Sequence, residues 1–346
     1  MKIGLIARAD RSGLAVQTWE FWRHMSPVKT IVINPTWVGQ DHRIDHSMYP
    51  GSVIMDSKPY PEESFIESNI IEDFLDGLDI VFTCETPYNF WLFKRASELG
   101  VKTVLQYNYE FLYTLSNSRL PKPDLLAAPS LWNYEKVVGN KVFLPVPVNR
   151  SVLPFVQRKE LGTILHCAGI PAAFDRNGTL TLIEAVRMLP RRIDIKVKIR
   201  SQYFFESFDD PRIEVIIDKP DRYYDLYQDE DVFVFPRKYG GLSLPLNEAA
   251  SCGMAILSTN VSPQSSFLHE RCLVDAFKTN SFMANAMVDV YECKASDLAD
   301  KIVELYECPD LVAESSSLSN DYAASIDWSA MKDNYLSIFG DLLDCR

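Results

Sequence analysis

Cysteine and histidine are scarce in this sequence, and neither forms a pattern typical of a metal site. The seven cysteines are Cys84, Cys167, Cys252, Cys272, Cys293, Cys308 and Cys345, an odd number with no Cys-x-x-Cys pair. The five histidines, His24, His42, His46, His166 and His269, have no metal-ligand spacing. We therefore expect buried free thiols in a reducing compartment, without a zinc site or a disulfide framework.

Long hydrophobic runs are also absent. No stretch approaches the roughly 20 apolar residues that span a bilayer. The opening apolar run, from Ile3 to Ala7, is interrupted by Arg8 and Asp10, which makes it too short for a signal peptide. We expect a soluble, cytoplasmic protein without a membrane span.

Positive charge is in the minority, with 35 Lys and Arg residues against 47 Asp and Glu residues and a net charge of −12. An acidic surface repels nucleic acid at long range and disfavours a dedicated DNA-binding protein, although it leaves room for a local basic cleft. The length of 346 residues, with 47% hydrophobic and 24% charged residues, suits two globular domains.

Short apolar strands alternate with amphipathic helices in both halves of the chain. The predicted strands are 3–7, 30–33, 80–83, 103–106, 125–128, 142–146, 164–168, 193–199, 232–235 and 255–258. The predicted helices are 16–25, 89–99, 179–188, 246–252 and 328–343. This alternation indicates an α/β protein whose parallel sheets are covered by helices on both faces.

A proline-rich stretch, with Pro145, Pro147 and Pro154, separates the two halves and fits a linker better than a helix or strand. We therefore predict domains at 1–150 and 151–325, followed by a terminal helix in 326–346 that packs back toward the first domain. Two successive βαβ domains place a ligand site at the carboxyl ends of their strands, in a cleft between the domains.

The segment from 231 to 258 has the most informative chemistry. A buried strand ends at Pro236, a loop with Gly240 and Gly241 follows, and a helix begins near Pro245. Such a loop offers backbone N–H groups and a helix dipole to a phosphate, and the carboxylate of Glu248 suits two vicinal ribose hydroxyls. The alternative is a simple tight turn in which Glu248 only stabilises its own helix.

This segment resembles the donor-binding signature of retaining GT-B glycosyltransferases, in the Glu-x7-Glu, glycosyltransferase family 4-like group, and its form is similar to a phage-type variant. Gly241, Leu242, Ser243, Leu244 and Pro245 fill the Gly-Phe-Gly-Leu-Pro slots of that signature. Glu248 fills the second glutamate, which binds the nucleotide ribose in the family. Residues 249–256 resemble the Ala-Met-Ala-Cys-Gly-x-Pro-Val that follows.

The resemblance implies a GT-B architecture of two Rossmann-like domains with an interdomain cleft. It implies an acceptor-side domain at 1–150 and a nucleotide-sugar-binding domain at 151–325. The implied donor is a nucleotide-diphosphate sugar, expected to be a UDP-sugar, and no other cofactor or metal is required. The turn at Gly13 resembles the glycine loop after the family's first strand and joins the donor-binding set.

The sequence departs from the family pattern at three positions. Gly240 replaces the first glutamate, which usually touches the donor sugar, and Asn177 and Ile170 replace the lysine and arginine that usually neutralise the diphosphate. The candidates to replace those two cations are Arg176, Arg200, Arg237 and Lys238, with Arg200 the most favoured because it ends a strand. Lys196 and Lys198 are expected to be solvated surface charges.

In the first domain the strand end Cys84-Glu85-Thr86-Pro87-Tyr88 lies where many family members carry a histidine near the acceptor. A carboxylate there suits orientation of the acceptor or stabilisation of developing positive charge, which makes Glu85 a catalytic candidate with Arg176 and Arg200. The alternative for Glu85 is a polar cap on the strand end.

The sequence leaves two alternatives for the acceptor. A modified base of phage DNA is one candidate, which the net charge of −12 disfavours, and a protein or small-molecule hydroxyl is the other. If the protein is phage-encoded, the host cytoplasm is its compartment. Two rival hypotheses are a catalytically degenerate sugar-nucleotide-binding module and a nucleotide-sugar epimerase.

Overall fold

A computed structural model describes the chain except residues 11, 35–43, 57–67, 86–88, 113–116, 118, 170–171, 204–208, 218–219, 221, 228 and 345–346. The chain forms two compact units. The first comprises Met1–Val146, Ala284–Ala286 and Trp328–Arg346, and the second comprises Pro147–Met283 and Met287–Asp327.

The first unit is built on a seven-stranded sheet in which every strand pairs in parallel with its neighbours. Its strands are β1 (Ile3–Arg8), β2 (Lys29–Asn34), β3 (Val53–Asp56), β4 (Ile80–Cys84), β5 (Lys102–Gln106), β6 (Leu125–Ala128) and β7 (Lys141–Phe143). The spatial order is β3-β2-β1-β4-β5-β6-β7. This doubly wound order reverses between β1 and β4, the place where such sheets bind ligands.

The second unit contains a six-stranded parallel sheet and a separate antiparallel hairpin. The sheet strands are β8 (Thr163–Gly169), β9 (Lys196–Ser201), β10 (Ile213–Ile217), β11 (Val232–Phe235), β12 (Ala255–Thr259) and β13 (Leu273–Val274). The hairpin strands are β14 (Ala276–Met283) and β15 (Met287–Cys293). The sheet order, β10-β9-β8-β11-β12-β13, reverses between β8 and β11.

Helices cover both faces of each sheet. They are α1 (Gly13–Met25), α2 (Ser68–Leu75), α3 (Trp91–Glu98), α4 (Thr179–Met188), α5 (Leu244–Ser251), α6 (Ala295–Glu307), α7 (Pro309–Ser325) and α8 (Trp328–Asp344). No helix in the part of the chain that the structure describes is long and apolar enough to cross a membrane.

Apolar side chains of α1 and α8 cover one face of the first sheet. Phe21 of α1 stacks on Phe82 of β4 with ring centroids 4.1 Å apart, and Tyr335 and Phe339 of α8 pack against both rings. Aromatic groups of this size bury much apolar surface, so α8 is an integral layer of the first unit.

In the second unit α4 and α6 pack on one face of the sheet, whereas α5 contributes Leu246, Ala249 and Ala250 to the core on the other face. The residues of α5 therefore share a face with Leu165 and Cys167 of β8. This arrangement places the start of α5 beside the carboxyl ends of the central strands.

The structure confirms the fold class predicted from the sequence, two α/β units with parallel sheets. Two strand predictions differ from the structure by three residues at one end. The strand predicted at 142–146 is β7, which ends at Phe143, and the strand predicted at 193–199 is β9, which begins at Lys196. The N–H of Ile193 donates to the carbonyl of Pro190 at 3.0 Å in a turn, and Ile193 is buried without joining the sheet. Strands β3, β10, β13, β14 and β15 and helices α2, α6 and α7 were not predicted.

Candidate functional site

The loops that follow β8 and β11 lie at the strand-order reversal of the second unit. Arg176 and Gly178 follow β8, the stretch from Arg237 to Glu248 follows β11, and Arg200 is the penultimate residue of β9. The carboxyl ends of neighbouring parallel strands share one edge of a sheet, so the fold brings most of the predicted donor-site residues to that edge.

The turn before α5 leaves backbone donors available. The N–H groups of Gly240, Gly241 and Leu242 donate to no residue that the structure describes. Gly240 has a φ of 111°, in the region that favours glycine. The Ser243 Oγ caps α5 by accepting from the Leu246 N–H at 3.4 Å. Available N–H groups at the positive end of a helix dipole form an anion-binding arrangement.

Two arginines converge on Gly240. A Cβ placed on this glycine would overlap the guanidinium of Arg237 and lie 2.5 Å from Nη2 of Arg176. The Arg176 guanidinium lies over the Tyr239 ring, 5.3 Å from its centroid, and the Arg237 Nε donates to the Tyr239 carbonyl at 2.9 Å. Two guanidinium groups beside one glycine concentrate positive charge at this turn. A guanidinium can bind two oxygens of one phosphate, so this charge suits a phosphate ligand.

Glu248 of α5 has its carboxylate in the interior, with 6% of the residue exposed. The hydroxyl of Tyr227 donates to its Oε2 at 2.6 Å. Burial, followed by the negative charge of Glu248, raises the pKa of Tyr227 well above its usual range, so the phenol keeps its proton and remains a donor.

Arg200 lies beside Cys167, its register partner across β8 and β9. The pKa of the Cys167 thiol is raised to about 12: burial is the largest cause, the charge of Glu248 also raises the pKa, and Arg200 lowers it. Both charged groups are therefore close enough to act on the same thiol. The structure places Arg200 near the carboxyl end of β9, as the sequence predicted.

Lys238, predicted to bind the diphosphate, is paired with carboxylates. Its Nζ lies 2.7 Å from Oε1 of Glu292 on β15 and 3.7 Å from Oδ2 of Asp175, so two carboxylates already neutralise it. Lys198 was expected to be solvated, but its Nζ pairs at 2.9 Å with the buried Glu230. Lys196 is exposed as predicted.

Asp175 occupies the amino-terminal end of α4. Its carboxylate oxygens accept from the N–H groups of Thr179 and Leu180, each at 3.0 Å. Burial is the largest effect on the Asp175 carboxyl, and its pKa is raised. Because this helix end already has its own carboxylate, the turn before α5 is the better of the two places for a phosphate.

Asn177, in the slot of the family's lysine, stabilises the loop after β8. Its amide Nδ2 donates to the carbonyl oxygens of Ala168 and Cys167 at 2.9 and 3.2 Å. Gly178 must be a glycine, because its φ is 74° and a Cβ would overlap the carbonyl oxygen of Pro236. Ile170, the third departure from the family, lies outside the described residues.

The first unit places Gly13 and Glu85 at its own strand-order reversal, after β1 and β4. Gly13 is the exposed first residue of α1. Glu85 has a φ of 55°, rare for a residue with a side chain, and its carboxylate accepts a hydrogen bond from the amide of Asn108. A left-handed backbone conformation at a residue with a side chain is strained, and such strain often occurs in functional loops. Thr86, Pro87 and Tyr88 lie outside the described residues.

Within the described ranges no group of three or more His, Cys, Asp or Glu side chains is arranged to hold a metal ion. Cys84, Cys167, Cys252, Cys272 and Cys293 are buried free thiols, as predicted, whereas Cys308 is only half-buried.

Sequence reasoning missed Tyr227, Asp175 and Glu292. Asp175 is separated from the α4 N–H groups by only four and five residues, so a capping pattern was present for it. Tyr227 lies 21 residues from Glu248, and Glu292 lies 54 residues from Lys238. No local sequence pattern connects either of these pairs.

The whole chain superimposes on solved glycosyltransferase structures. A glycosyltransferase from Rickettsia africae matches with a TM-score of 0.67 and 14% identity over 100% of this chain and 99% of that one. The chain has the GT-B glycosyltransferase fold. Sucrose-phosphate synthase from Thermosynechococcus elongatus matches with a TM-score of 0.65, 12% identity and complete coverage of both chains. HepE of Anabaena in complex with UDP-glucose matches with a TM-score of 0.65 and 11% identity, over 99% of this chain and 100% of that one.

At these identities the likeness concerns the fold. No family model matches the sequence, and no curated protein matches it.

Proposed function

We propose that this GT-B chain is a retaining glycosyltransferase that moves a sugar from a nucleotide-diphosphate donor to an acceptor hydroxyl. The observation that carries the proposal is the combination at the start of α5. A buried carboxylate, Glu248, lies in the same helix whose preceding turn offers the N–H groups of Gly240, Gly241 and Leu242. A carboxylate for ribose hydroxyls and amides for phosphates are the two contacts that a nucleoside diphosphate needs.

In this proposal each part of the donor has its own protein partner. The ribose hydroxyls bind Glu248, and the diphosphate binds the backbone amides of the turn together with Arg176 and Arg237. Arg200 and Glu248 both act on the buried Cys167 thiol, and Arg200 is the third cation proposed for the donor site. UDP is the proposed nucleotide because the solved structures of HepE, which share this fold, contain UDP and UDP-glucose.

The proposed reaction proceeds on one face of the sugar. The bond between the anomeric carbon and the diphosphate oxygen breaks, and a bond from the same carbon to the acceptor oxygen forms on that face. The acceptor proton moves to the departing diphosphate, whose charge the amides and the two arginines stabilise, and no metal is required. The domain at 1–150 supplies the acceptor side, where Glu85 orients the hydroxyl. The configuration of the product, read from its anomeric proton coupling, tests retention.

Removal of the Glu248 carboxylate tests the donor site directly. In a thermal-shift panel of UDP-, GDP-, ADP- and TDP-sugars, we expect UDP compounds to raise the unfolding midpoint of the native protein and to lose that effect in Glu248→Ala. Asn247→Ala is the matched control, because Asn247 is the preceding residue of α5 and its amide oxygen accepts from Tyr322. Equal shifts in Glu248→Ala and the native protein would overturn the donor site.

A second candidate is a catalytically degenerate sugar-nucleotide-binding module. It is favoured by the absence of a carboxylate at Gly240 and by the structural use of Asn177, both at positions where the resembled family has charged groups. Slow release of UDP from UDP-sugar without an acceptor separates the two hypotheses. Binding without any turnover, over a panel of sugar and protein hydroxyl acceptors, would favour the module.

A further inference from the structure

We propose that Tyr227 is a positioning residue that fixes the Glu248 carboxylate for recognition of the donor ribose, and this inference rests on the proposed function. Tyr227 follows a short 3-10 turn, Tyr223–Leu226, and is 1% exposed. Its hydroxyl donates to Oε2 of Glu248 at 2.6 Å, a short distance typical of a hydrogen bond to a carboxylate.

The tyrosine is held rigidly by its surroundings. It belongs to the apolar cluster formed by β8, β11 and α5, which includes Leu165, Phe233 and Leu246. A buried ring in a close-packed core has a fixed orientation, so its hydroxyl has a fixed position. The tyrosine therefore constrains the rotation of the carboxylate about its terminal bond, which is otherwise a broad torsion.

Tyr227 is a neutral donor among charged neighbours. Arg200 and Glu248 both act on the Cys167 thiol, which is also within reach of the Tyr227 hydroxyl. The tyrosine adds a hydrogen bond to the carboxylate without adding a charge, and a carboxylate accepts hydrogen bonds at both of its oxygens. A vicinal diol offers two such donors, and the 2′-hydroxyl belongs only to a ribonucleotide.

A fixed carboxylate should improve the discrimination between ribose and deoxyribose. We expect native protein to bind UDP at least roughly tenfold more tightly than 2′-deoxy-UDP, because loss of a hydrogen bond to a charged group lowers affinity by about tenfold or more. In Tyr227→Phe the preference for UDP should shrink to about threefold or less, with most of the loss in UDP affinity. Isothermal titration with UDP and 2′-deoxy-UDP measures both ratios.

Tyr322→Phe is the matched control. It removes the hydroxyl of a half-buried tyrosine, which donates to Asn247 Oδ1 at 3.1 Å on the same helix as Glu248, and it leaves the contact between Tyr227 and Glu248 in place. We expect this variant to keep the native preference for UDP. If Tyr227→Phe does not fold, Tyr227→Met also lacks the hydroxyl and adapts its shape to the same space.

The outcomes separate the two proposals. No UDP binding by native protein would overturn the donor site itself. UDP binding with an unchanged or larger ribose preference in the variant at Tyr227 would overturn the positioning role and leave the donor site standing. An equal loss of preference in the Tyr322 control would assign the effect to general loosening of α5 and also overturn the role of Tyr227.

Discussion

Lys238 on the loop after β11 forms a 2.7 Å ion pair with Glu292 on β15, and Asp175 approaches the same ammonium group at 3.7 Å. The lysine is mostly buried, with 8% of the residue exposed. The N–H of Tyr291 also donates to its carbonyl at 2.9 Å, so the hairpin strand is attached to the donor loop through one residue. This cation is therefore part of the scaffold that holds the loop.

We predict that Lys238→Met destabilises the protein and changes UDP affinity only slightly. Loss of the ammonium leaves two carboxylates without their partner, which costs about 1–3 kcal/mol in a half-buried setting. Thermal unfolding and UDP titration measure the two effects, with Lys196→Met as the exposed control in the same unit. A large loss of UDP affinity with an unchanged unfolding midpoint would return Lys238 to the diphosphate site.

Arg176→Gln and Arg237→Gln should weaken binding of UDP by about tenfold each, and binding of uridine by much less. Each change removes a charge beside Gly240 where the proposed diphosphate lies, and a charge-assisted hydrogen bond contributes about 1.5–3 kcal/mol. Affinities for UDP, UMP and uridine test this, with Arg192→Gln as control because Arg192 is exposed and pairs with Glu307. Equal losses for UDP and uridine would contradict a phosphate contact.

Gly178→Ala should destabilise the second unit by at least about 3 kcal/mol, because the added Cβ overlaps the carbonyl oxygen of Pro236 in addition to straining the backbone. Gly100→Ala is a closely matched control. Gly100 has the same φ of 74°, but no atom lies within 4 Å of its Cβ position. That variant should lose only about 1–2 kcal/mol from backbone strain. Comparable unfolding midpoints for the two variants would show that the overlap relaxes easily.

Acid should weaken the second unit partly through His166. This fully buried imidazole has its Nδ1 2.8 Å from the carbonyl of Val234 and its Nε2 2.8 Å from the hydroxyl of Thr179. A carbonyl only accepts, so Nδ1 carries the proton and Nε2 accepts from the threonine in the neutral ring. Burial lowers the pKa of His166 to about 4, from an ordinary value of 6.5.

Because the folded pKa lies below the unfolded one, the neutral ring contributes its full stability above pH 6.5. That contribution falls by up to about 1.4 kcal/mol per pH unit between pH 6.5 and about 4. His166→Gln, which cannot titrate, should lose less stability than native protein as the pH falls from 6.5 to about 4. The free energy of unfolding as a function of pH checks the difference, and parallel curves would rule out His166 as the source.

The alternation of apolar strands and amphipathic helices predicted the two α/β units, since each element depends on residues two to four positions apart. It placed α4 at its observed bounds and α8 within one residue of its end. The hairpin of β14 and β15 was missed because its exposed, polar strand from Ala276 to Met283 lacks an apolar run. The start of β9 was misjudged because Ile193 is buried by a turn and satisfies the alternation without pairing.

The sequence by itself determined the local parts of the candidate site. Gly240 in its turn, the signature residues Gly241 to Pro245 and the carboxylate of Glu248 all lie within nine consecutive residues, so the sequence shows them together.

Only the tertiary structure decided which charged groups meet at the candidate site. Lys238 is neutralised by a carboxylate 54 residues away, Glu248 is held by a phenol 21 residues before it, and Arg176 meets Arg237 only at Gly240. Strand order and hairpin placement bring these groups together, and Coulombic and hydrogen-bond energies depend on distance in space, not along the chain.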